Sequence, residues 1–354
     1  MSEFMKSSYR NDDVTVLLKD ITGLVKPLPA KEREPLIQSG VHYCEMLPLE
    51  YEPSEGYIRE YENALNRFSD ITARCIEKVS ELIIADKKKP VLVSLARAGL
   101  PAGIMIKHYL EKKYGIAVPH YGVSIIRGRG IDTNAMNYIL SRHSAEAVQF
   151  VDGWTGKGAI QNQVNEAMKA YPNIDPRIAV ISDPACITPF CGTHEDFLIA
   201  SSCLNSVVSG LMSRTFLRSD IIGETDFHGA AYYAELEGSD RSYEYINAVE
   251  KCIRYNDVNV QPEEFEYGAG RAETAEVAEK FGIADINLVK PGIGETTRVL
   301  LRRIPHMVLI AEDAPEEYVA HITELAREKG VRVEKYPLRC YRACGIIKNM
   351  PADT

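Results

Sequence analysis

The chain lacks the two features that would send it into or across a membrane. No apolar run in its 354 residues is long enough to cross a bilayer. The N-terminal sequence MSEFMKSSYRNDD has no apolar stretch of the kind that a signal peptide carries. The 8 cysteines include no CxxC pair, which is typical of reduced thiols in a cytoplasm. We therefore expect a cytoplasmic protein without a membrane partner.

The composition excludes further classes of chain. With 24 glycines and 18 prolines the sequence cannot form collagen, and 45% hydrophobic against 26% charged residues indicates a folded protein rather than a disordered one. A length of 354 residues predicts about two domains. The net charge of -9 restricts nucleic-acid binding to a local basic patch.

Alternating strand and helix patterns predict an α/β architecture for residues 1–260. Short apolar, β-branched runs indicate buried parallel strands, and helical patterns separate them. The predicted strands are 90–94, 121–126, 148–151 and 177–182, and the predicted helices are 101–113 and 159–171. Successive βαβ units of this kind build an open, mostly parallel sheet with helices on both faces. Residues 1–60 are predicted to be an N-terminal extension of this domain.

A second, smaller α/β domain is predicted for residues 285–354. The acidic, non-periodic stretch QPEEFEYGAGR indicates a linker, which we place at 261–284. Beyond it the predicted elements are strands at 286–289, 307–311 and 331–336 and helices at 296–303 and 315–329. The chain is therefore expected to have two α/β domains of unequal size.

Three strands of the larger domain end in loops whose chemistry suits phosphate. In open parallel sheets, ligands bind beyond the carboxyl ends of the strands. In the loop GWTGKG, glycines permit close backbone approach, and the amides of 155–159 precede a helix N-terminus, where an anion is favoured. Asp152, at the end of the preceding strand, can accept hydrogen bonds from ribose hydroxyls. Neither a Walker A loop nor a GxGxxG fingerprint is present.

This succession of strand, acidic residue, Thr/Gly loop and helix resembles the phosphoribosyl-pyrophosphate motif of type I phosphoribosyltransferases. LARAGLP at 95–101 is similar to the pyrophosphate loop of that family, and IRGRGID at 126–132 is similar to its flexible catalytic loop. Together with YRNDDV and GVHYCEMLP, these motifs make most of the chain similar to phosphoribosyltransferase-like proteins of bacterial tellurium-resistance stress operons. That family also carries the label cysteine protease StiP.

The resemblance implies an enzyme that binds phosphoribosyl pyrophosphate or a nucleotide with Mg²⁺. It would move ribose phosphate to or from an unknown base, giving a nucleoside-like metabolite in a stress response, and Mg²⁺ would need no tight protein ligands. The predicted catalytic residues are Asp152, Arg127 and Arg129, since guanidinium groups grip a phosphate leaving group. The predicted substrate-binding residues are Leu95, Ala96, Arg97, Ala98, Gly99, Gly153, Trp154, Thr155, Gly156, Lys157, Gly158 and Asp183. Assembly as a homo-oligomer is left open.

One departure from the transferase pattern keeps two other functions open. The enzyme family usually has two adjacent acidic residues at this strand end, whereas Gly153 follows Asp152 here, and Asp183 is a candidate replacement. Lost catalysis would leave a nucleotide sensor coupled to RNA. The other alternative is a cysteine protease or thiol hydrolase, because Cys191 and His194 offer a nucleophile and a base, or two metal ligands. Unreactive structural thiols are the simpler interpretation of that stretch.

The C-terminal domain resembles the Pelota and L7Ae-type RNA-binding fold. The matching parts are GIGETTR, which leads into a helix, and a buried strand that ends in acidic residues followed by Ala-Pro. In that fold the glycine-containing turn and the start of the helix contact kinked RNA backbones. The resemblance implies RNA or nucleotide contact by Gly294, Glu295, Thr297, Arg298 and Arg302, of which the two arginines share one helical face.

Overall fold

The computed structural model describes residues 4–256, 258, 260 and 263–348. Its larger domain is built on a parallel sheet. The strands are β1 (Thr15–Leu17), β2 (Val91–Ala96), β3 (His120–Ile126), β4 (Val148–Trp154), β5 (Ile178–Ser182) and β6 (Cys191–Thr193). They lie in the order β1-β3-β2-β4-β5-β6, and each neighbouring pair is parallel. The largely parallel sheet predicted from the apolar runs is confirmed.

Helices, two short strand pairings and 3-10 turns complete this domain. Its helices are α1 (Ala30–Gln38), α2 (Glu55–Asp86), α3 (Gly99–Tyr114), α4 (Thr133–Leu140), α5 (Ala159–Met168) and α6 (Ser242–Glu250). The two-residue strand Gly130–Ile131 runs antiparallel to β3, and Lys19–Asp20 pairs with Gly229–Ala230. Turns of 3-10 helix occupy Tyr43–Glu45, Ala145–Ala147, Ala200–Ser202, Ser206–Val208 and Ala234–Ser239.

Side chains on the two faces of the parallel sheet enter two different apolar cores. Along β2, Val91 and Val93 lie in the core that also contains side chains of α4 and α5, whereas Leu92 lies in the core that contains side chains of α2, α3 and α6. This alternation is what a strand covered on both faces requires. The predicted helical layers on both sides of the sheet are therefore present.

Helix α2 is an element that the sequence analysis does not predict. Its buried residues Tyr61, Phe68, Ile76 and Ile83 recur seven or eight positions apart, so they form one stripe along the 32-residue helix. This stripe packs α2 against the parallel sheet, including its edge strand β6. Among the described residues, no helix combines the length and the apolar character that crossing a bilayer demands.

The smaller domain has a mixed sheet in the order β7-β10-β8-β9. Its strands are β7 (Val289–Pro291), β8 (Pro305–Ala311), β9 (Arg332–Tyr336) and β10 (Ala343–Ile347), and its helices are α7 (Ala269–Lys280), α8 (Ile293–Arg302) and α9 (Glu316–Glu328). The strand predicted at 286–289 starts later, because Asp285 accepts a hydrogen bond from the Asn287 N–H and closes a 3-10 turn at Ile286–Leu288. Strand β10 is not predicted from the sequence.

Helix α7 lies inside the segment predicted to be a linker, 261–284, of which 261 and 262 fall outside the described residues. The prediction needs this correction because Ala and Glu favour helix, and because α7 is anchored to the smaller domain. Its Glu273 side chain is 2% exposed and accepts hydrogen bonds from the backbone N–H groups of Arg339, Cys340 and Tyr341. Helix α7 is therefore part of the smaller domain rather than a flexible connection.

The two domains share one apolar core. Ile293 and Leu300 of α8 and Val308 of β8 are buried in the same cluster as Ile76 of α2 and Ile104 of α3. Continuous burial across the boundary means that the domains are seated firmly on each other rather than held by a flexible connection.

The substitution Gly99→Ala should destabilise the protein by about 1–3 kcal/mol, because a Cβ at this position would lie 2.4 Å from the carbonyl oxygen of Val151. Gly156→Ala is the matched control, since a Cβ there meets nothing within 4 Å, and its effect should stay within about 0.5 kcal/mol. Urea unfolding of the two variants measures the difference. Equal midpoints would contradict this account of the packing of α3 on β4.

Candidate functional site

The carboxyl ends of β2, β4 and β5 open onto a cleft, as the sheet topology predicts. The cleft holds about 980 Å³ of space that is open to solvent. Residues from both domains line it, among them Ala98, Arg127, Asp152, Trp154, Thr155, Gly156, Lys157, Gly158, Lys290 and Glu295. The structure thus brings together most of the side chains that were predicted to bind substrate after β4.

In the loop predicted to hold phosphate, the two polar side chains Thr155 and Lys157 and one carbonyl bond to the protein. The Thr155 hydroxyl donates to Asp183 Oδ1 at 2.6 Å, and the Gly156 carbonyl accepts from the Tyr341 hydroxyl at 2.7 Å. The Lys157 ammonium donates to the carbonyls of Ile286 and Val289, and burial lowers its pKa to about 8. Gly158 has a positive φ of 77° and caps α5. The contacts of Gly156 with Tyr341 and of Lys157 with the two carbonyls attach the loop to the smaller domain.

The arginines predicted to grip pyrophosphate also have protein partners. Arg97 donates to the Met212 carbonyl at 2.6 Å and pairs with Glu50 at 3.3 Å. Arg127 donates to Asn287 Oδ1 at 2.9 Å, while Arg129 pairs with Glu45 at 2.9 Å. The neighbouring Leu95 is 2% exposed and belongs to the core that contains side chains of α4 and α5.

Asp152 lies in the cleft with few donors around it. Burial raises the pKa of its carboxyl to about 7, although the Gly153 N–H donates to it at 2.8 Å. Next to it, a Cβ on Gly153 would lie 3.2 Å from the Ala98 carbonyl oxygen, and Trp154 packs against the large core. Ala96 also packs against that core as a partly buried side chain. The cleft thus contains a carboxyl whose pKa is raised by burial.

A second constellation lies at the sheet edge formed by β5 and β6. The parallel register pairs Val180 with Cys191 and Ser182 with Thr193. This register places the residue after β5, Asp183, beside the residue after β6, His194. Cys191 itself begins β6 and is 3% exposed. Two adjacent strand ends therefore bring a thiol, an imidazole and a carboxylate together.

The three side chains form a chain of contacts. His194 Nε2 lies 3.6 Å from Cys191 Sγ. His194 Nδ1 lies 3.9 Å from the same sulfur, 3.3 Å from Asp183 Oδ2 and 3.1 Å from the Asp183 carbonyl oxygen. Two acceptors at Nδ1 favour the tautomer that carries its proton there, which leaves Nε2 unprotonated and able to act as a base.

Buried hydrogen bonds define the electrostatics of this cluster. Asp183 is fully buried, and besides Thr155 its carboxylate accepts from the backbone N–H groups of Ile187 and Thr188 at 2.8 and 3.0 Å. Burial alone would lower the pKa of His194, but its hydrogen bonds to Asp183 outweigh that effect and leave the pKa raised. Burial raises the pKa of the Cys191 thiol well above its ordinary range. At rest the nucleophile candidate is therefore a protonated thiol.

A second Cys/His pair lies near the N-terminus. His42 Nδ1 is 2.9 Å from Cys44 Sγ, and His42 Nε2 is 3.1 Å from the Arg127 carbonyl oxygen. Here the ring is oriented by a neutral carbonyl rather than by a carboxylate, and burial again raises the pKa of the thiol. The pair of His42 and Cys44 therefore differs from that of His194 and Cys191 in the group that orients the imidazole, which is a backbone carbonyl instead of a carboxylate.

The residues predicted to contact RNA lie at the boundary between the domains. Arg302 donates to Asn205 Oδ1 and to the Cys203 carbonyl, and a Cβ on Gly294 would lie 3.1 Å from the Ser202 hydroxyl. Glu295 and Arg298 pair with each other at 3.0 Å and line clefts shared with the larger domain. Thr297 is fully buried. RNA contact by these residues stays a prediction, and for the buried Thr297 and for Arg302, which bonds to the larger domain, it would require the domains to separate.

Asp196 closes this boundary and is a functional residue that the sequence analysis misses. Its carboxylate accepts from the Ile293 N–H at the start of α8, with both oxygens at 3.0 Å, and from the Arg342 N–H at 2.9 Å. Asp196 is 4% exposed. A carboxylate of the larger domain thus takes the anion-favouring end of α8.

Comparison with known proteins first defines the class. A family model described as PELOTA RNA binding domain matches residues 268–349. The large ribosomal subunit protein eL8 of Haloquadratum walsbyi is 50% identical over 48 residues, which cover 13% of this chain and 40% of that protein. The molecule is therefore a two-domain α/β protein whose C-terminal domain is of the Pelota RNA-binding type, as the sequence predicts.

The family of the chain is shown by comparisons that cover the larger domain. A model described as Tellurite-like stress resistance cysteine protease StiP matches residues 7–250. A cysteine protease StiP of Acinetobacter baylyi is 31% identical over 376 aligned residues, which cover 99% of this chain and 96% of that protein. The chain belongs to the StiP family.

The prediction of a phosphoribosyltransferase is wrong, because both the family model and this relative are named as cysteine proteases. The transferase function, its enzyme class and a phosphoribosyl pyrophosphate partner are withdrawn with it. In the loop after β4, the Thr155 hydroxyl and the Lys157 ammonium match phosphate chemistry by type but bond to the protein itself. The resemblance to tellurium-resistance stress proteins is confirmed, and Mg²⁺ stays a prediction.

Replacing Asp196 by Ala should destabilise the folded protein by about 2–4 kcal/mol, because two buried N–H donors lose their acceptor. Asp196→Asn keeps one acceptor oxygen and should cost less. Glu195→Ala is the neighbouring control, since this exposed side chain makes only an ion pair with Arg342 and should contribute about 1 kcal/mol at most. Chemical unfolding followed by circular dichroism ranks the three. A rank order with Glu195→Ala as the most harmful would contradict the role of Asp196.

Proposed function

We propose that the protein is a cysteine-dependent hydrolase that cleaves peptide bonds, with Cys191 as nucleophile, His194 as general base and Asp183 as the orienting carboxylate. The observation that supports it best is that a thiol, an imidazole and a buried carboxylate meet, with Cys191 Sγ 3.6 Å from His194 Nε2 and His194 Nδ1 3.3 Å from Asp183 Oδ2. A nucleophile, a base and a group that orients the base are the parts that acyl transfer by a thiol needs. The name of the StiP relative agrees with this chemistry.

The proposed reaction follows the proton. His194 Nε2 takes the proton of the Cys191 thiol, and the thiolate attacks the carbonyl carbon of the scissile peptide. The tetrahedral oxyanion then collapses, the amine leaves with the proton from His194, and a thioester remains on Cys191. Water, deprotonated by the same imidazole, hydrolyses the thioester and restores the thiol. The Asp183 side chain orients the imidazole and stabilises the imidazolium.

Access is the step that the fold restricts. The Phe265 ring lies over the His194 ring with centroids 4.4 Å apart, and Glu263 on the same segment pairs with Lys78 of α2. Cys191 is 3% exposed, so a substrate carbonyl reaches its sulfur only if neighbouring groups move aside. Burial of the thiol favours its protonated form at rest and limits reaction with small electrophiles.

Cys191 is favoured over Cys44 because of the third group. An imidazolium next to a thiolate is stabilised by a buried negative charge, and Asp183 supplies that charge to His194. The ring of His42 has the Arg127 carbonyl in the equivalent place, so a positive charge on it gains less. The two pairs therefore serve as site and matched control.

Cys191→Ser should abolish hydrolysis of fluorescein-labelled casein, whereas Cys44→Ser should leave it unchanged. The assay is run with EDTA and a thiol reductant, and an electrophilic epoxide probe followed by peptide mass spectrometry identifies the labelled cysteine. Serine preserves the shape of both buried sites, so circular dichroism should show both variants folded. Full activity in Cys191→Ser, or loss only in Cys44→Ser, would overturn the assignment.

His194→Gln should slow alkylation of Cys191 at pH 7 by roughly 100-fold, since a positioned base contributes about 10²–10⁴. Burial raises the pKa of the thiol, so without the imidazole the rate should recover only as the pH rises into the alkaline range. His42→Gln should leave the Cys191 profile unchanged. Iodoacetamide kinetics at a series of pH values, read by mass spectrometry, measure both profiles, and superimposable curves for His194→Gln and the unaltered protein would refute the base.

A further inference from the structure

We propose that Asp183, Cys191 and His194 form a binding site for Zn²⁺. Within the part of the chain that the structure describes, this is the one group of three His, Cys, Asp or Glu side chains whose ligand atoms all lie within 4.8 Å of one another. A thiolate, an imidazole and a carboxylate are the donors that Zn²⁺ takes, whereas Mg²⁺ and Ca²⁺ prefer oxygen alone. The proposal that Zn²⁺ binds depends on this geometry alone. Only the effect of Zn²⁺ on catalysis rests on the proposed function.

The spacing of the donor atoms fits a tetrahedral ion. Zn²⁺ bonds of about 2.0–2.3 Å at tetrahedral angles separate neighbouring donors by roughly 3.4–3.6 Å. Here His194 Nδ1 lies 3.3 Å from Asp183 Oδ2 and 3.9 Å from Cys191 Sγ. Small side-chain shifts therefore suffice to place an ion between the three.

Charge favours Zn²⁺ at a site with so little exposure. The Cys191 thiolate and the Asp183 carboxylate together carry two negative charges, which the ion neutralises. Asp183 is 0% exposed and Cys191 is 3% exposed, and a neutral cluster is far less costly to bury there than an unpaired charge. On binding, the thiol releases its proton to solvent, and the proton on His194 Nδ1 is replaced by one on Nε2, so the imidazole stays neutral.

Neighbouring groups hold the ligands in place before any ion arrives. Thr155 donates to one oxygen of Asp183, and the backbone N–H groups of Ile187 and Thr188 donate to the other. Such outer partners fix a ligating carboxylate and are worth about 10–100-fold in metal affinity. Three protein ligands leave a fourth position for water, which is the arrangement of an open rather than a purely structural site.

Occupancy by Zn²⁺ and nucleophilic attack exclude each other. The ion takes the same sulfur lone pair with which Cys191 would attack a carbonyl, and it takes the imidazole that would accept the proton. Zn²⁺ would therefore act as a reversible inhibitor of the hydrolase. Removal of the ion restores the free thiol without any change in covalent structure.

Titration of the reduced, metal-stripped full-length protein with Zn²⁺, using a chromophoric chelator as competitor, tests the proposal. We expect one ion per chain. Cys191→Ser and His194→Gln should each weaken binding by at least roughly 100-fold, and Thr155→Val by about 10–100-fold. Cys44→Ser, which alters the other Cys/His pair, should bind as the unaltered protein does. With Co²⁺ as probe, a thiolate-to-metal charge-transfer band should appear and should be absent from Cys191→Ser.

Two results would overturn the proposal: no stoichiometric Zn²⁺ binding by the reduced protein, or equal affinity in Cys191→Ser, His194→Gln and the unaltered protein. Circular dichroism of each variant establishes that it is folded. Hydrolase activity is assayed separately in EDTA, so the two hypotheses fail independently. Tight Zn²⁺ binding without hydrolysis would refute the proposed function alone, and hydrolysis without Zn²⁺ binding would refute the metal site alone.

Discussion

The buried carboxylate of Asp183 is the constraint on which the site depends. A charge removed from water must be surrounded by donors, and Asp183 draws them from three separate segments. Thr155 follows β4, the N–H groups of Ile187 and Thr188 belong to the loop after β5, and His194 follows β6. One side chain thereby fixes the ends of three adjacent strands, and the thiol at the start of β6 is held in place with them.

The sheet could be predicted from the sequence where burial on both faces leaves a continuous apolar run. Strands β2 and β5 are of this kind, with nearly every side chain buried. Strand β6 has only three residues, Cys-Gly-Thr, and no pattern of its own, because its place is set by pairing with β5 and by contact with α2. Helix α2 has an apolar stripe, but many charged residues lie between the buried ones. The stripe is therefore difficult to recognise in the sequence.

The site could be predicted only in part. Cys191 and His194 are three residues apart and can be noticed in the sequence, but their partnership with Asp183 depends on the parallel register of β5 and β6. Likewise, the glycine-rich loop after β4 has the residue types of a phosphate cradle. Whether its lysine faces a ligand or the neighbouring domain depends on the position of that domain, which no local motif encodes.

Asp196 gives the Pelota-type domain a hydrogen-bond acceptor at the start of α8, although burial raises the pKa of its carboxyl to about 7. The first N–H of α8 already serves a carboxylate that is tethered through the shared core. Tethering gives such a group a local concentration on the order of millimolar or above, so a free phosphate or a nucleic-acid backbone must outcompete it at that level. Anions that bind weakly and nonspecifically therefore do not displace Asp196. Only a polyanion that contacts the domain at several places at once could displace it.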